Sequence, residues 1–258
     1  MNSRRKLLPP VLHDLAACVG FYTRLPVNVT FDRPLALSQW AAPIAGLFVG
    51  LLAGSLGWLL WGAGAPDMVT AAVILAATII LTGALHEEGL ADIADGFGGG
   101  HDREQKLAIM KDSRVGTYGV LALSLSVLVR WSALATLLAT AGGWTTLLVL
   151  ASAHAVSRSV IPAFMSHVPS ARHDGLSASV GHIDIRTSAI ALGIGGLTLL
   201  ALNGICATLV VLLLLAGIFV FLRWLALRQI GGQTGDVLGA LQQSGEIAVL
   251  TTAATLLT

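Results

Sequence analysis

The chain has 258 residues and a formal net charge of +1; 55% of it is hydrophobic, only 11% is charged, and its mean hydropathy is +0.81. Soluble domains carry roughly a quarter charged residues, so a soluble globular protein is excluded and an all-α, polytopic transmembrane helix bundle is indicated. No linker or compositional break divides the chain, which reads as a single integral membrane domain over residues 1–258, and its two cysteines, Cys18 and Cys206, match no metal spacing and imply no disulfide.

Arg4, Arg5 and Lys6 make a basic start, read as a cytoplasmic anchor. A helix over 7–24 follows the Pro9-Pro10 pair, with an apolar stripe through Leu12, Leu15, Val19 and Tyr22. Gln39 to Gly62 is long enough to cross a bilayer, and Pro66 to about Leu85 returns. Hairpins are expected over 116–165, turning at Gly142-Gly143, and over 187–222, turning at Asn203-Gly204. The apolar run from Ile247 to Thr258 is short for a span unless its helix begins near Gly235. The count is therefore about seven spans. The turns between paired spans hold no Lys or Arg, whereas thirteen of the fifteen basic residues lie in the N-terminal segment and the long connections. By the bias of cationic loops those connections face the cytoplasm.

One connection stands apart. Gly83 to Gly119 holds seven of the fourteen acidic residues and four of the fifteen basic ones between membrane-length apolar runs. If the helix from Pro66 continues past His86, Glu88, Asp92 and Asp95 fall at i, i+4 and i+7 on one face. Three carboxylates on one face repel one another unless a cation sits among them. Oxygen ligands without His or Cys suit a hard ion, and Mg²⁺ takes one or two carboxylates plus substrate phosphates. Glycines interleave with the acids, Gly98 and Gly99 among them, and can leave backbone amides free for phosphate oxygens. Lys111, Asp112 and Arg114 add cations beside carboxylates, as phosphoryl chemistry requires. Residues 104–112 read as an amphipathic helix with Leu107, Ile109 and Met110 toward the bilayer. The string GGQTGDVLGA (231–240) offers Asp236 as a further ligand, and in the 166–186 loop Arg172, His173, Asp174, His182 and Asp184 either meet substrate or are solvated.

Arg130 and Arg158 lie inside apolar segments. An intramembrane Arg costs about 2.5 to 3.5 kcal/mol even on lenient scales, so each needs a partner or a polar cavity. His154 and Arg158 stand at i, i+4 on an inward polar stripe, where the guanidinium fork suits phosphate oxygens.

The strings GALHEEGLADIADGFGGG, REQKLAIMKDSRVGTYGVLAL and GGQTGDVLGA, with FYTRLPV near the start, resemble the cobalamin 5′-phosphate synthase family, the adenosylcobinamide-GDP ribazoletransferases. In the family motif H-x-D-G-L-A-D-T-A-D-G the first Asp is here Glu88, which keeps a carboxylate on a longer arm, and the Thr is Ile93. The resemblance implies a bacterial cytoplasmic-membrane enzyme with its active face cytoplasmic, joining α-ribazole or its 5′-phosphate to adenosylcobinamide-GDP with release of GMP. It implies Mg²⁺ held by Glu88, Asp92, Asp95 and Asp112, with Asp95, Lys111, Arg114 and Arg158 catalytic. His86, Gly98, Gly99, Arg172 and Asp236 would bind substrate. The partners are then those two substrates and the lipid bilayer, not nucleic acid; a second copy of the chain or a corrinoid-pathway complex is left open. The D-x-x-D-G step from Asp92 to Gly96 also echoes the CDP-alcohol phosphotransferases, whose further spaced acids the chain lacks. A transporter would distribute charge near the bilayer midplane in paired halves; here most charge gathers on one face.

Overall fold

The structure, a computed structural model, describes residues 9–27, 33–172 and 174–257. The basic anchor at Arg4, Arg5 and Lys6, the start of the first helix and His173 lie outside the described residues. The regular structure of the described residues is helical, with one isolated bridge between Ser170 and Gln233.

α1 (Pro10–Tyr22) starts on the Pro9-Pro10 pair, where a missing amide costs nothing. Its buried Asp14 accepts from Ser38 Oγ at 2.9 Å, Trp40 Nε1 at 3.0 Å and Arg33 at 3.3 Å. These bonds fasten α1 to the short α2 (Leu35–Ser38) and the 3₁₀ turn that leads into α3 (Ala42–Gly62). α3 buries a stripe of Gly46, Gly50 and Gly54. A Cβ at Gly46 would lie 2.0 Å from the His154 carbonyl oxygen, and one at Gly50 would lie 2.5 Å from Ala151 Cα. Small residues at four-residue spacing let two backbones approach this closely within a membrane.

α7 (Thr117–His167) and α9 (Ile185–Ile230) are hairpins, not long rods. Gly142 (φ 80°) and Gly204 (φ 75°) interrupt them in conformations that favour glycine. Ser126 and Ser157 sit almost equally far from Gly142, yet bond to neighbouring Gln243 and Gln242. A straight helix would separate them by about 45 Å. Likewise Ser188 bonds to the Pro162 carbonyl while Phe219 packs on Phe164, from opposite sides of Gly204. The expected turns are therefore present. Leu197, Ile80 and Leu213 are 68 to 75% exposed, the pattern of a surface bathed by lipid.

Leu35–Gly62, Thr117–His167 and Ile185–Ile230 are long and apolar enough to cross a membrane, and α4 (Asp67–Thr82) with α5 (Leu85–Gly99) makes a fourth candidate bent by 89°. This is an all-α membrane protein.

The structure departs from sequence expectation at three places. The helix from Pro66 does not run on past His86; it breaks at Gly83 and Ala84, both left-handed (φ 64° and 58°), and α5 leaves nearly at right angles. The polar stretch expected as a connection over 223–246 is mostly helix: α9 extends to Ile230 and α10 (Gly235–Leu256) starts five residues later. Of its polar residues Gln233, Thr234, Gln242, Gln243 and Glu246 are buried in the bundle, whereas Arg223 and Arg228 stay exposed. Met110, expected toward the bilayer, is buried just beyond α6 (Arg103–Ile109), where a Cβ at Gly96 would lie 2.5 Å from Met110 Cγ.

Ala84 is the one non-glycine with positive φ among the described residues. A left-handed L-residue costs about 1 to 2 kcal/mol, partly offset by the extra unfolded-chain freedom that Gly would bring. Ala84→Gly is therefore expected to raise the thermal midpoint in detergent, by the equivalent of about 1 kcal/mol or less. A lowered midpoint would show that the Ala84 methyl packs tightly enough to outweigh the strain.

Candidate active site

α5 crosses the start of α10 where two glycines meet. A Cβ at Gly89 would lie 2.9 Å from Asp236 Cα and 3.2 Å from Gly239 Cα, and one at Gly239 would lie 3.0 Å from the His86 carbonyl oxygen. Only paired glycines permit this approach, and it sets the acids of α5 against Asp236 in the first turn of α10. Asp236 accepts from Arg172 Nη2 at 3.2 Å and from Thr234 Oγ1 at 3.0 Å. Thr234 also caps α10, accepting from the Val237 amide. The loop carrying Arg172 is held by backbone bonds between Gln233 and both Pro169 and Ala171. Arg103 of α6 adds bonds to the Ile230 and Ala171 carbonyls.

Within this junction Glu88 is exposed, Asp92 half-buried and Asp95 buried. The Asp92 carboxyl is pushed up to about 7, first by burial and then by the charges of Asp236, Glu88 and Asp95, with Arg172 opposing. Four acids thus act on one another across α5 and α10 with one cation among them. Asp95 has a different occupation. Its two oxygens accept from the amides of Gly116 at 2.7 Å and Gly119 at 2.8 Å, the N-terminus of α7, where a carboxylate meets the positive end of the helix. A Cβ on either glycine would come within 2.5 Å of that carboxylate, which explains both glycines of the string VGTYG.

The other expected residues fall into three places. Lys111, Asp112 and Arg114 lie on the surface: Lys111 pairs with Asp174 at 2.6 Å and Arg114 with Asp112 at 2.6 Å. The Arg114 bonds hold the Asp112 carboxyl down at about 2, and Asp112 is not among the charges acting on Asp92. Gly98 is approached by the Tyr118 ring, 2.7 Å from where its Cβ would be, and Gly99 has only Ile109 nearby at 3.6 Å. His86 is 3% exposed, stacked at 6.0 Å on Tyr22, and its Nε2 has no hydrogen-bond partner.

Arg158 lies in the third place, enclosed in the bundle and 1% exposed. It donates to the His154 carbonyl at 3.1 Å and lies 2.9 Å from His154 Nδ1. Its Nε has no hydrogen-bond partner, and the guanidinium expected to meet phosphate is here enclosed in the bundle. Sequence reading missed its surroundings: Glu87 and Glu246 both pair with Arg130, at 3.0 and 3.1 Å, and Glu246 lies 3.4 Å from His154. Gln242 bonds to Glu246 and Gln243 to Glu87. Arg130 thus meets two buried anions directly, Arg158 reaches Glu246 only through His154, and Glu87 ties the network to α5.

Among the described residues no three His, Cys, Asp or Glu side chains converge closely enough to hold a metal by themselves. The donor set still fits Mg²⁺, which binds through one or two carboxylates and completes its shell with substrate phosphates and water.

The description "Cobalamin-5-phosphate synthase" belongs to the family model that matches residues 14–254. An adenosylcobinamide-GDP ribazoletransferase of Bradyrhizobium diazoefficiens is 51% identical over 248 residues, covering 95% of this chain and 94% of the relative. Relatives of the same name from Mesorhizobium japonicum (48%, covering 93% and 92%) and Sinorhizobium medicae (44%, covering 92% and 94%) are similar end to end. No solved structure matches the chain. A match across nearly the whole sequence places this chain in the cobalamin-5-phosphate synthase family.

Proposed function

We propose that this chain joins α-ribazole, or its 5′-phosphate, to adenosylcobinamide-GDP with release of GMP, a late step of cobalamin synthesis, and that the α5–α10 junction is the seat of the reaction. The observation that carries the placement is the Gly89–Gly239 crossing, which sets Asp92 against Asp236 and Arg172. Asp92, with Glu88 and Asp236, would hold Mg²⁺, which when bound neutralises diphosphate charge. Arg172 is the cation nearest these acids, and its Nη1 has no partner of its own. Its fork suits a phosphate oxygen of the donor. Lys111 and Arg114 are exposed on the following loop, each paired with a carboxylate that a phosphate of the donor or GMP would have to displace to reach them. Asp95 contributes indirectly, by fixing the start of α7 against α5. The face that carries the junction also carries Arg24, Arg103, Arg114 and Arg172, which supports a cytoplasmic orientation in the bacterial inner membrane.

The test is GMP release by purified protein in liposomes given adenosylcobinamide-GDP, α-ribazole and Mg²⁺. Chelator is expected to abolish release, and added Mg²⁺ to restore it. Undiminished release in chelator would remove the metal from the mechanism. No release with either form of α-ribazole would overturn the reaction itself.

A further inference from the structure

Beside the carboxylate junction lies a half-open cleft, about 420 Å³ of empty space when the solvent at its mouth is counted, set between the end of α1, the start of α5, the end of α7, the start of α10 and the short α8 (Leu176–Val180). Phe21, Tyr22, Met165, Val180 and Leu238 form most of its wall. Its polar side chains are few. The Tyr22 hydroxyl is committed to Gln39 Oε1 at 2.7 Å, which leaves Ser177 and His86. The cleft also touches Gly235 and Gly239, which flank Asp236, and His86, one turn of α5 before Asp92's helical neighbour Gly89. An occupant would therefore have an apolar end enclosed and a polar end at the carboxylates.

We propose that this cleft is the base subsite of the nucleoside acceptor, taking a flat, apolar heterocycle with at most one or two polar atoms. The proposal rests on the reaction given above. The geometry selects between that reaction's ring systems. Guanine presents several donors and acceptors, each costing roughly 1 to 3 kcal/mol if buried unpaired, and the cleft offers too few side-chain partners for them. A corrin macrocycle is far larger than the cleft. The dimethylbenzimidazole of α-ribazole, once joined to its ribose, has one free ring nitrogen and otherwise apolar edges. Enclosed by Phe21, Tyr22 and Met165, it would leave its ribose directed at Asp236 and Asp92.

Steady-state GMP release with two acceptors, α-ribazole and its analogue lacking both base methyl groups, tests the subsite. Val180 is 4% exposed and lines the cleft, so Val180→Phe would take space from the methylated ring edge. The expected result is a KM for α-ribazole raised about tenfold, the scale of a misplaced methylene or more in an apolar pocket. The KM for adenosylcobinamide-GDP is expected to stay unchanged, and the demethylated acceptor to be affected several-fold less. A merely structural defect would lower activity equally with both acceptors, and that result would overturn the proposal. So would a raised donor KM, which would assign the cleft to guanine. Leu176, 52% exposed at the rim, provides a variant that folds regardless: Leu176→Ala is expected to raise the acceptor KM about threefold, with the donor KM fixed, by removing one apolar contact. An unchanged acceptor KM there also counts against the subsite. Absence of GMP release in the unmodified protein would instead condemn the reaction, so the two failures are separable.

Discussion

Asp92→Asn is expected to lower GMP release by about a thousandfold, the scale on which loss of one preorganised charge-stabilising group acts, while leaving the thermal midpoint unchanged or higher. The two halves of this result come from the same crowding. Asp92 is half-buried among Asp236, Glu88 and Asp95, whose charges together with burial drive its carboxyl up to about 7. Such an arrangement works against folding whenever all four acids are ionised, and an isosteric amide relieves it. A residue that costs stability and is tolerated has its use elsewhere, which is the usual relation between strain and function at a site. Asp95→Asn separates the roles. Asp95 holds the amides of Gly116 and Gly119, and an Asn can present only one oxygen to them, its NH₂ facing a donor. Stability and activity should therefore fall together. Circular dichroism melting and GMP release on the same preparations decide the matter. If Asp92→Asn keeps full activity, the carboxylate junction is not where the reaction happens.

Much of this site was legible before any coordinates. The spacing of Glu88, Asp92 and Asp95 placed them on one helical face, which α5 keeps, and GGQTGDVLGA offered Asp236 from another connection, which the folded chain makes the first turn of α10. Gly142 and Gly204 were visible as turns because each interrupts an apolar run too long for one crossing. The bend at Gly83-Ala84 was not visible. An alanine carries no sign of a left-handed conformation, and the apolar run continues through it to Leu85. Nor did the sequence reveal the partners of Arg130 and Arg158. Gln242, Gln243 and Glu246 read as a polar loop because hydropathy along a chain cannot distinguish water from an enclosed polar interior. The signal that was available is arithmetic: two intramembrane cations call for two anions, and Glu246 and the otherwise unassigned Glu87 were candidates.

That balance sets the largest stability effect expected of a single substitution. Glu246 is fully buried and meets Arg130 at 3.1 Å, His154 at 3.4 Å and Gln242 Nε2 at 2.8 Å. Glu246→Ala removes one anion from a set of two cations and two anions and leaves a net positive charge enclosed by α5, α7 and α10. Breaking a buried pair from one side costs about 3 to 5 kcal/mol, because the stranded partner keeps its desolvation penalty. For a domain of ordinary marginal stability that is a large share of the total, so the variant is expected to lose most of its monodisperse peak on detergent size exclusion and to melt well below the parent protein. Arg130→Met should be similarly harmful, stranding Glu87 and Glu246 instead. The combined Arg130→Met, Glu246→Ala protein restores charge balance with one cation, Arg158, against one anion, Glu87, and should be less destabilised than the sum of the two single changes. Simple addition of the two losses would mean that Arg130 and Glu246 are independent, each satisfied by its remaining bonds, and that the network is not what holds α5 against the bundle. Non-additivity would tie the depth of the bundle to the position of the site, since Glu87 and Glu88 are adjacent on α5, one facing the buried cations and the other the junction where the reaction is placed.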